Sequence, residues 1–200
     1  MIKYNVDLAL CFDDILLVPQ ESHIDSRHNV DLSMSIGTYK RKIDLKLPVI
    51  AAPMDTVCDT EMCVSMANSG GIGILHRYMY ESEMVTKTLY MKQLDIEFGV
   101  SIGATNGYME LAERLYKSGA RLILVDTANG HSKYAVDAVK NLRKEFNDVH
   151  IMSGNVATSD GFARLADVGC DSVRVGIGGG SACTTRIVSG PGIPTLSSVI

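Results

Sequence analysis

The sequence lacks any long apolar run. The longest, Leu47–Met54, has eight residues and includes proline, whereas a membrane-spanning helix needs about 20 apolar residues. The first seven residues also lack the charged-then-apolar pattern of a signal peptide. These absences predict a cytoplasmic chain with no membrane partner.

A basic face is missing as well. The 19 Lys and Arg residues are outnumbered by 23 Asp and Glu, the net charge is −4, and the only dense basic run is Lys40–Lys42. A nucleic-acid-binding surface is usually strongly basic, so we expect no nucleic-acid partner. A small anionic ligand needs only a few local donors and remains compatible with this charge.

Cysteine pairs with metal-binding spacing are absent too. The five cysteines are odd in number and form no C-x-x-C, which argues against a disulfide framework or a zinc site in a cytosolic chain. We expect most of them to be buried apolar side chains and one to be a candidate reactive thiol. With 46% hydrophobic and 21% charged residues, the composition is that of a globular chain and not of a disordered one.

What the sequence contains is a regular alternation of short apolar strands and amphipathic helices. The predicted strands begin near Pro48, Ile72, Phe98, Leu122, His150 and Ser172, and the predicted helices cover Asp59–Ser69, Glu81–Gln93, Tyr108–Ser118, Lys133–Phe146 and Ser159–Val168. Successive strands start ~25 residues apart, the length of one strand–helix unit. Nearly all-apolar strands separated by helices indicate a parallel sheet covered on both faces.

Two architectures fit this pattern: an open doubly wound sheet or a (β/α)8 barrel. The dinucleotide-binding fingerprint G-x-G-x-x-G is absent after the first strand, and G-x-x-x-x-G-K-[ST] and H-E-x-x-H occur nowhere. Polar residues instead follow the carboxyl ends of strands along the chain, where a barrel places its active site. We therefore favour an α/β fold of the (β/α)8 TIM-barrel class. Residues 1–200 would form a single catalytic domain, incomplete at its carboxyl end, with about six of the eight units.

The strongest local motif is the glycine-rich segment from Gly176 to Arg186. Four glycines in five residues, just past a strand, allow positive φ and bring backbone groups close to phosphate oxygens or, through carbonyls, to a monovalent cation. Cys183 lies at the far end, among hydroxyls and near Arg186, and such surroundings favour the nucleophilic thiolate. The alternative is a flexible loop with a bystander cysteine.

Other polar residues lie at predicted strand ends. Asp126 could bind a ribose hydroxyl or orient a cofactor, or it could cap the following helix. Asn155 could recognise a base or hydroxyl edge, or form an Asx turn. His131 is a candidate general base and Met54 a candidate surface for a purine ring, although such residues more often have structural roles.

Taken in order, six segments resemble the IMP dehydrogenase/GMP reductase family. They are Phe12–Pro19, Ala52–Val57, Gly70–Arg77, Asp126–Ser132, Gly154–Thr158 and Arg174–Arg186. The last is the most specific, because it contains the family's G-x-G-x-G-S-x-C-x-T loop. The resemblance implies a (β/α)8 barrel that binds a purine nucleotide monophosphate, GMP or IMP, and a nicotinamide cofactor, NADPH or NAD.

The same resemblance implies roles for individual residues. Cys183 would be the nucleophile at purine C2, and Thr185 would assist at that carbon. The implied substrate contacts are Met54, Asn155 and Ser181, the implied cofactor contacts are Asp126, Thr127 and Arg174, and the implied potassium ligands are the carbonyls of Gly178, Gly180 and Cys183. The family's usual homotetramer is implied as well.

Two reactions fit the resemblance. The reductase releases ammonia from GMP and delivers hydride from NADPH to give IMP, whereas the dehydrogenase oxidises IMP with NAD and water to give XMP. Only Tyr78–Glu97 precedes the third strand after His76 and Arg77, which is too short for the CBS-domain pair usual in dehydrogenases. Ala51 and Ser101 are also reductase-like. We favour GMP reductase, with IMP dehydrogenase as the alternative enzyme. The alternative that is not an enzyme is a non-catalytic nucleotide-binding fragment.

Overall fold

A computed structural model describes residues 8–200 of the chain. Residues 1–7, on which the expectation about a signal peptide depends, lie outside the described residues. The strands are β1 (Met34–Ile36), β2 (Ile43–Leu45), β3 (Ile50–Ala51), β4 (Ile72–Leu75), β5 (Phe98–Ile102), β6 (Leu122–Asp126), β7 (His150–Val156) and β8 (Ser172–Val175). The α-helices are α1 (Thr60–Asn68), α2 (Glu81–Gln93), α3 (Tyr108–Lys117), α4 (Lys133–Glu145), α5 (Ser159–Asp167), α6 (Thr185–Val188) and α7 (Thr195–Val199).

Strands β3 to β8 form one parallel sheet in which each strand pairs with the next one along the chain. A doubly wound sheet would reverse its strand order at a switch point, and this sheet does not. Its two edge strands, β3 and β8, line the same cavity of about 410 Å³, so the sheet is curled. The predicted barrel class is therefore confirmed, as a half-barrel of six strands.

The predicted elements agree closely with the observed ones. Five of the six strand starts are confirmed to the residue, from Ile72 to Ser172. The predicted start of the first strand, near Pro48, is corrected to Ile50, and the strand has only two residues. Sequence reasoning also missed the antiparallel hairpin formed by β1 and β2.

Three helices end in the same way, which explains the regular spacing of the units. A glycine with positive φ follows each of α1, α3 and α5, at Gly70, Gly119 and Gly169. After α3, for example, the N–H of Ala120 donates to the carbonyl of Leu115 at 3.0 Å. This is the Schellman arrangement, and it turns the chain directly into the next strand.

Two apolar cores lie on the two faces of the sheet. The outer core packs the helices against the strands. The inner core is smaller and consists of Leu45, Ile72, Ile74, Leu122, Leu124 and Met152, with Ile36 and Ile43 packed against it. Because Ile72 and Leu122 begin their strands, the hairpin covers the amino end of the half-barrel and leaves the carboxyl end of the strands open.

Within residues 8–200, none of the helices combines the length and the apolar character that crossing a bilayer requires.

Candidate functional site

One row of residues crosses three strands at the carboxyl end of the sheet. Asp126 on β6 is in register with Gly154 on β7, which is in register with Arg174 on β8. Arg174 Nη1 donates a hydrogen bond to Asp126 Oδ1 at 3.1 Å. The two side chains therefore pair across the intervening strand.

Gly154 makes this pairing possible. Its φ is 151°, and a Cβ at this position would lie 2.6 Å from the carbonyl oxygen and 2.8 Å from the Cβ of Arg174. Any other residue would occupy the space across which Arg174 reaches Asp126. The glycine is thus required both by its backbone conformation and by its neighbour.

A second arginine approaches the same carboxylate. Arg77, two residues after the end of β4, places Nε 3.6 Å from Asp126 Oδ2 and its guanidinium 5.0 Å from the centre of the Tyr78 ring. Its Nε is buried and has no hydrogen-bond partner among residues 8–200. Two guanidinium groups therefore lie beside one carboxylate, and the Nε of Arg77 can still donate to an acceptor on a ligand.

These side chains surround a cavity of about 430 Å³, which is lined by Pro53, Met54, Asp55, Arg77, Tyr78, Asp126, Thr127, Ala128 and Arg174. Four of the predicted site residues, Met54, Asp126, Thr127 and Arg174, therefore lie together. Arg77 was not among the predicted site residues, although its position just after a strand was a usable signal. Cys183, Ser181 and Asn155 are not part of this lining.

The structure decides two of the open alternatives. Asp126 does not cap α4, because the hydroxyl of Ser132 accepts the N–H of Ala135 instead. Asn155 forms no Asx turn, because among residues 8–200 no following backbone N–H donates to its Oδ1, and its Nδ2 donates to the carbonyl of Gly176 at 2.7 Å. Its amide therefore connects the end of β7 to the first residue of the glycine-rich loop.

His131 remains apart from this polar cluster. It is exposed, and its backbone N–H donates to Asn129 Oδ1. Among residues 8–200, no hydrogen bond or ion pair connects its ring to the residues around Asp126. We see no support here for its candidacy as a general base.

The glycine-rich loop turns back on itself. Gly176 and Gly178 have φ values of 116° and 75°, and the N–H of Ile193 donates to the carbonyl of Ile177 at 3.0 Å. The N–H of Cys183 donates to the carbonyl of Gly180 at 3.0 Å. These bonds form a tight turn that presents Cys183 immediately before α6.

Cys183 differs electrostatically from the buried Cys170. It is half-buried, and hydrogen bonds from the side chain and the backbone of Thr185 lower the pKa of its thiol, with a further contribution from the charge of Arg186. Burial instead raises the pKa of the Cys170 thiol to about 12. Thr185 is the first residue of α6, a helix that the sequence did not predict, and Ser181 is exposed nearby in the loop.

Fold and site together define a class: an α/β half-barrel with a charged cavity at the carboxyl ends of its strands and a thiol of lowered pKa on the loop after β8. The family model described as "IMP dehydrogenase / GMP reductase domain" matches residues 9–200. The chain belongs to the IMP dehydrogenase/GMP reductase family.

Both GMP reductases and IMP dehydrogenases are similar to the chain. A GMP reductase from Shewanella pealeana is 37% identical over 204 residues, covering 99% of this chain and 58% of the relative. An IMP dehydrogenase from Cryptosporidium parvum is 32% identical over 236 residues, covering 98% and 58%. One from Nitrosopumilus maritimus is 25% identical over 316 residues, covering 96% and 66%. The chain thus spans 58% to 66% of the length of these relatives.

Proposed function

We propose that this chain contributes to a purine nucleotide oxidoreductase that acts at C2 of a purine monophosphate, with Cys183 as the nucleophile. The observation that supports this most is the environment of Cys183, whose thiol is hydrogen-bonded by Thr185 on a loop held by glycines. A lowered thiol pKa increases the thiolate fraction at neutral pH, and the thiolate is the reactive form.

The favoured reaction is that of a GMP reductase. Cys183 Sγ attacks C2 of GMP, the C2–N bond breaks, and the amino group leaves as ammonia after taking up a proton. Hydride then reaches C2, the C–S bond breaks, and IMP leaves while the thiolate is restored. A covalent intermediate divides one difficult step into two easier ones. We assign Thr185, which contributes most to lowering the pKa of the thiol, to assist at the same carbon.

The cavity around Asp126 fits a nicotinamide cofactor. A carboxylate can accept hydrogen bonds from a ribose diol, and the unpartnered Nε of Arg77 needs an acceptor that an anionic cofactor possesses. We assign Asp126, Thr127 and Arg174 to holding this group, with Met54 against the purine of the substrate. When bound, the cofactor would supply the hydride.

Asn155 and Ser181 are assigned to the nucleotide substrate. Asn155 already bonds the start of the glycine-rich loop, so it would align the substrate with that loop. Ser181 is exposed on the loop and free to donate to a phosphate oxygen.

A monovalent cation, potassium, also fits the loop. Among residues 8–200, no hydrogen bond reaches the carbonyl oxygens of Gly178 and Cys183, and that of Gly180 accepts one. These three carbonyls would hold the ion, whose charge would stabilise the turn that presents Cys183.

Two observations favour the reductase over the dehydrogenase. Only α2 joins β4 to β5, so no CBS-domain pair is inserted there. The alignment with the Shewanella GMP reductase runs over 204 residues, whereas that with the Nitrosopumilus IMP dehydrogenase needs 316 and therefore contains a long insertion in the relative. IMP dehydrogenase remains the second candidate because relatives with that name are also similar. We further propose a cytoplasmic homotetramer that acts on free nucleotides and not on nucleic acid.

The test uses both substrate pairs, GMP with NADPH and IMP with NAD, and follows the absorbance of the nicotinamide. We expect turnover with the first pair, and a loss of roughly three orders of magnitude or more in Cys183→Ala. The matched control is Cys170→Ala, which removes a thiol far from the loop. Turnover only with the second pair would establish the dehydrogenase instead. Nucleotide binding without turnover by either pair would support the non-catalytic rival.

A further inference from the structure

Two buried cysteines behind the cavity lie against each other. Cys58 and Cys63 place their Sγ atoms 3.6 Å apart, and neither side chain is exposed. Both sulfur atoms face Gly73 on β4, where a Cβ would lie 2.9 Å from one and 3.1 Å from the other. The absence of a side chain at Gly73 therefore creates the space in which the two sulfur atoms meet. The proposed reaction at Cys183 uses neither of them.

Cys58 is connected to both loops that carry residues of the cavity. Its N–H donates to the carbonyl of Met54 at 2.9 Å, and its own carbonyl accepts the N–H of His76 at 3.2 Å. Met54 lies in the cavity lining, and Arg77, also in the lining, directly follows His76. A displacement of Cys58 would thus move both loops.

We propose that Cys58 and Cys63 form a reversible disulfide on oxidation by a peroxide, and that this bond moves Met54, the residue assigned to the purine of the substrate, in the lining of the cavity around Asp126. The second part of this statement depends on the proposed function, whereas the first does not. A disulfide requires the sulfur atoms to approach from 3.6 Å to about 2.05 Å, and we infer that side-chain rotation supplies part of this closure and a shift of Cys58 toward α1, the helix that carries Cys63, supplies the rest. That movement pulls on the turn at Met54.

The chemistry balances with hydrogen peroxide as the oxidant. The thiolate of Cys58 attacks one peroxide oxygen, an S–O bond forms, the O–O bond breaks, and hydroxide leaves and is protonated to water. The thiolate of Cys63 then attacks the Cys58 sulfur, the S–S bond forms, and the second hydroxide leaves as water. Two thiols and one peroxide thus give one disulfide and two waters.

The order of attack follows from the pair itself. The hydrogen bond from Cys63 lowers the pKa of the Cys58 thiol and raises that of Cys63, so Cys58 is the thiolate that reacts first. Cys58 also follows an exposed turn formed by Asp55, Thr56 and Val57. A local opening of that turn gives a small oxidant access to the sulfur.

The test uses the full chain with Cys183→Ala, so that the candidate nucleophile cannot be oxidised. After treatment with hydrogen peroxide, the remaining thiols are alkylated under unfolding conditions and the peptides are mapped. We expect the loss of two alkylated thiols, with Cys58 and Cys63 in one disulfide and their recovery after dithiothreitol. Cys170, which is also buried, is the internal control and should remain fully alkylated. Full alkylation of Cys58 and Cys63 would overturn the proposal.

The second measurement is GMP binding by the same protein before and after oxidation. We expect the Kd to rise at least about fivefold, and to stay unchanged in a chain that also has Cys63→Ala. An unchanged Kd in the oxidised chain would overturn the connection to the cavity. Because the thiol mapping requires no nucleotide, it separates a failure of this proposal from a failure of the proposed function.

Discussion

The two parts of the candidate site are held in place by different means. The row of Asp126, Gly154 and Arg174 is fixed by the register of three parallel strands, and the side chain of Asp126 is only 19% exposed. The loop from Gly176 to Thr185 is fixed mainly by bonds within itself and to the segment that follows, and Gly179 to Ala182 are exposed. Binding groups therefore lie on the rigid part of the fold and the nucleophile on the adaptable part. Gly176 joins the two parts, because its carbonyl accepts from Asn155 Nδ2 and its N–H donates to the carbonyl of Val156.

We therefore expect a glycine-to-alanine substitution to lower the free energy of unfolding more in the strand row than near the loop. Gly154→Ala introduces a Cβ at positive φ and against the backbone of Arg174, so we expect it to lower the free energy of unfolding by about 2–4 kcal/mol. Gly190→Ala is the matched control near the loop, because its φ is also positive, 87°, but nothing lies within 4 Å of the added carbon.

The control should cost only about 1 kcal/mol. Urea unfolding of both variants measures the two free energies. Equal losses would contradict the claim that crowding around the strand row, and not the positive φ alone, makes Gly154 necessary.

The pairing across Gly154 should be measurable as a coupling energy. A double-mutant cycle with Asp126→Asn and Arg174→Gln should give about 1 kcal/mol, because both side chains are largely shielded from solvent. The matched surface pair is Glu113 with Lys117, whose side chains are 54% and 69% exposed. That pair should give no more than about 0.5 kcal/mol. Thermal or urea unfolding of the seven proteins, which are the unsubstituted chain and three variants for each pair, provides both values. A coupling energy smaller for Asp126 and Arg174 than for the surface pair would contradict the claim that the strand row is fixed.

The smallest effect should be a shift in the pH dependence of Cys183. Its folded-state pKa is lowered, first by the Thr185 hydroxyl, so the thiolate persists to a lower pH than in an ordinary cysteine. Removing that hydroxyl with Thr185→Val should move the rate of alkylation by iodoacetamide toward higher pH. Thr184→Val, at the exposed neighbour, should leave the profile in place. A profile that moves equally in both variants would mean that the hydroxyl of Thr185 does not set it.

The units of the fold could be read from the sequence because each gives a strong local signal. The strand that begins at Leu122, for example, is apolar for four residues, and Gly119 ends the helix before it. The hairpin gives no such signal, because β1 and β2 have three residues each and are held by contacts with distant strands.

The site could be predicted only in part for the same reason. Residue types at strand ends pointed to Asp126 and Arg174, but a sequence does not show which residues of neighbouring strands lie side by side. Only the register shows that Gly154 separates the two residues and allows them to pair. Arg77 stood out as a polar residue after a strand but received no role, because its significance depends on its distance to Asp126, which lies two strands away.

The most direct test of the account is a search for a covalent bond between Cys183 and the purine. The protein is mixed with GMP and NADPH, quenched in acid during turnover, and measured by intact mass and peptide mapping. We expect a purine nucleotide adduct on the peptide that contains Cys183, and none in Cys183→Ala or on the peptide of Cys170. Nicotinamide oxidation that persists in Cys183→Ala, with no adduct in the unmodified protein, would contradict the account.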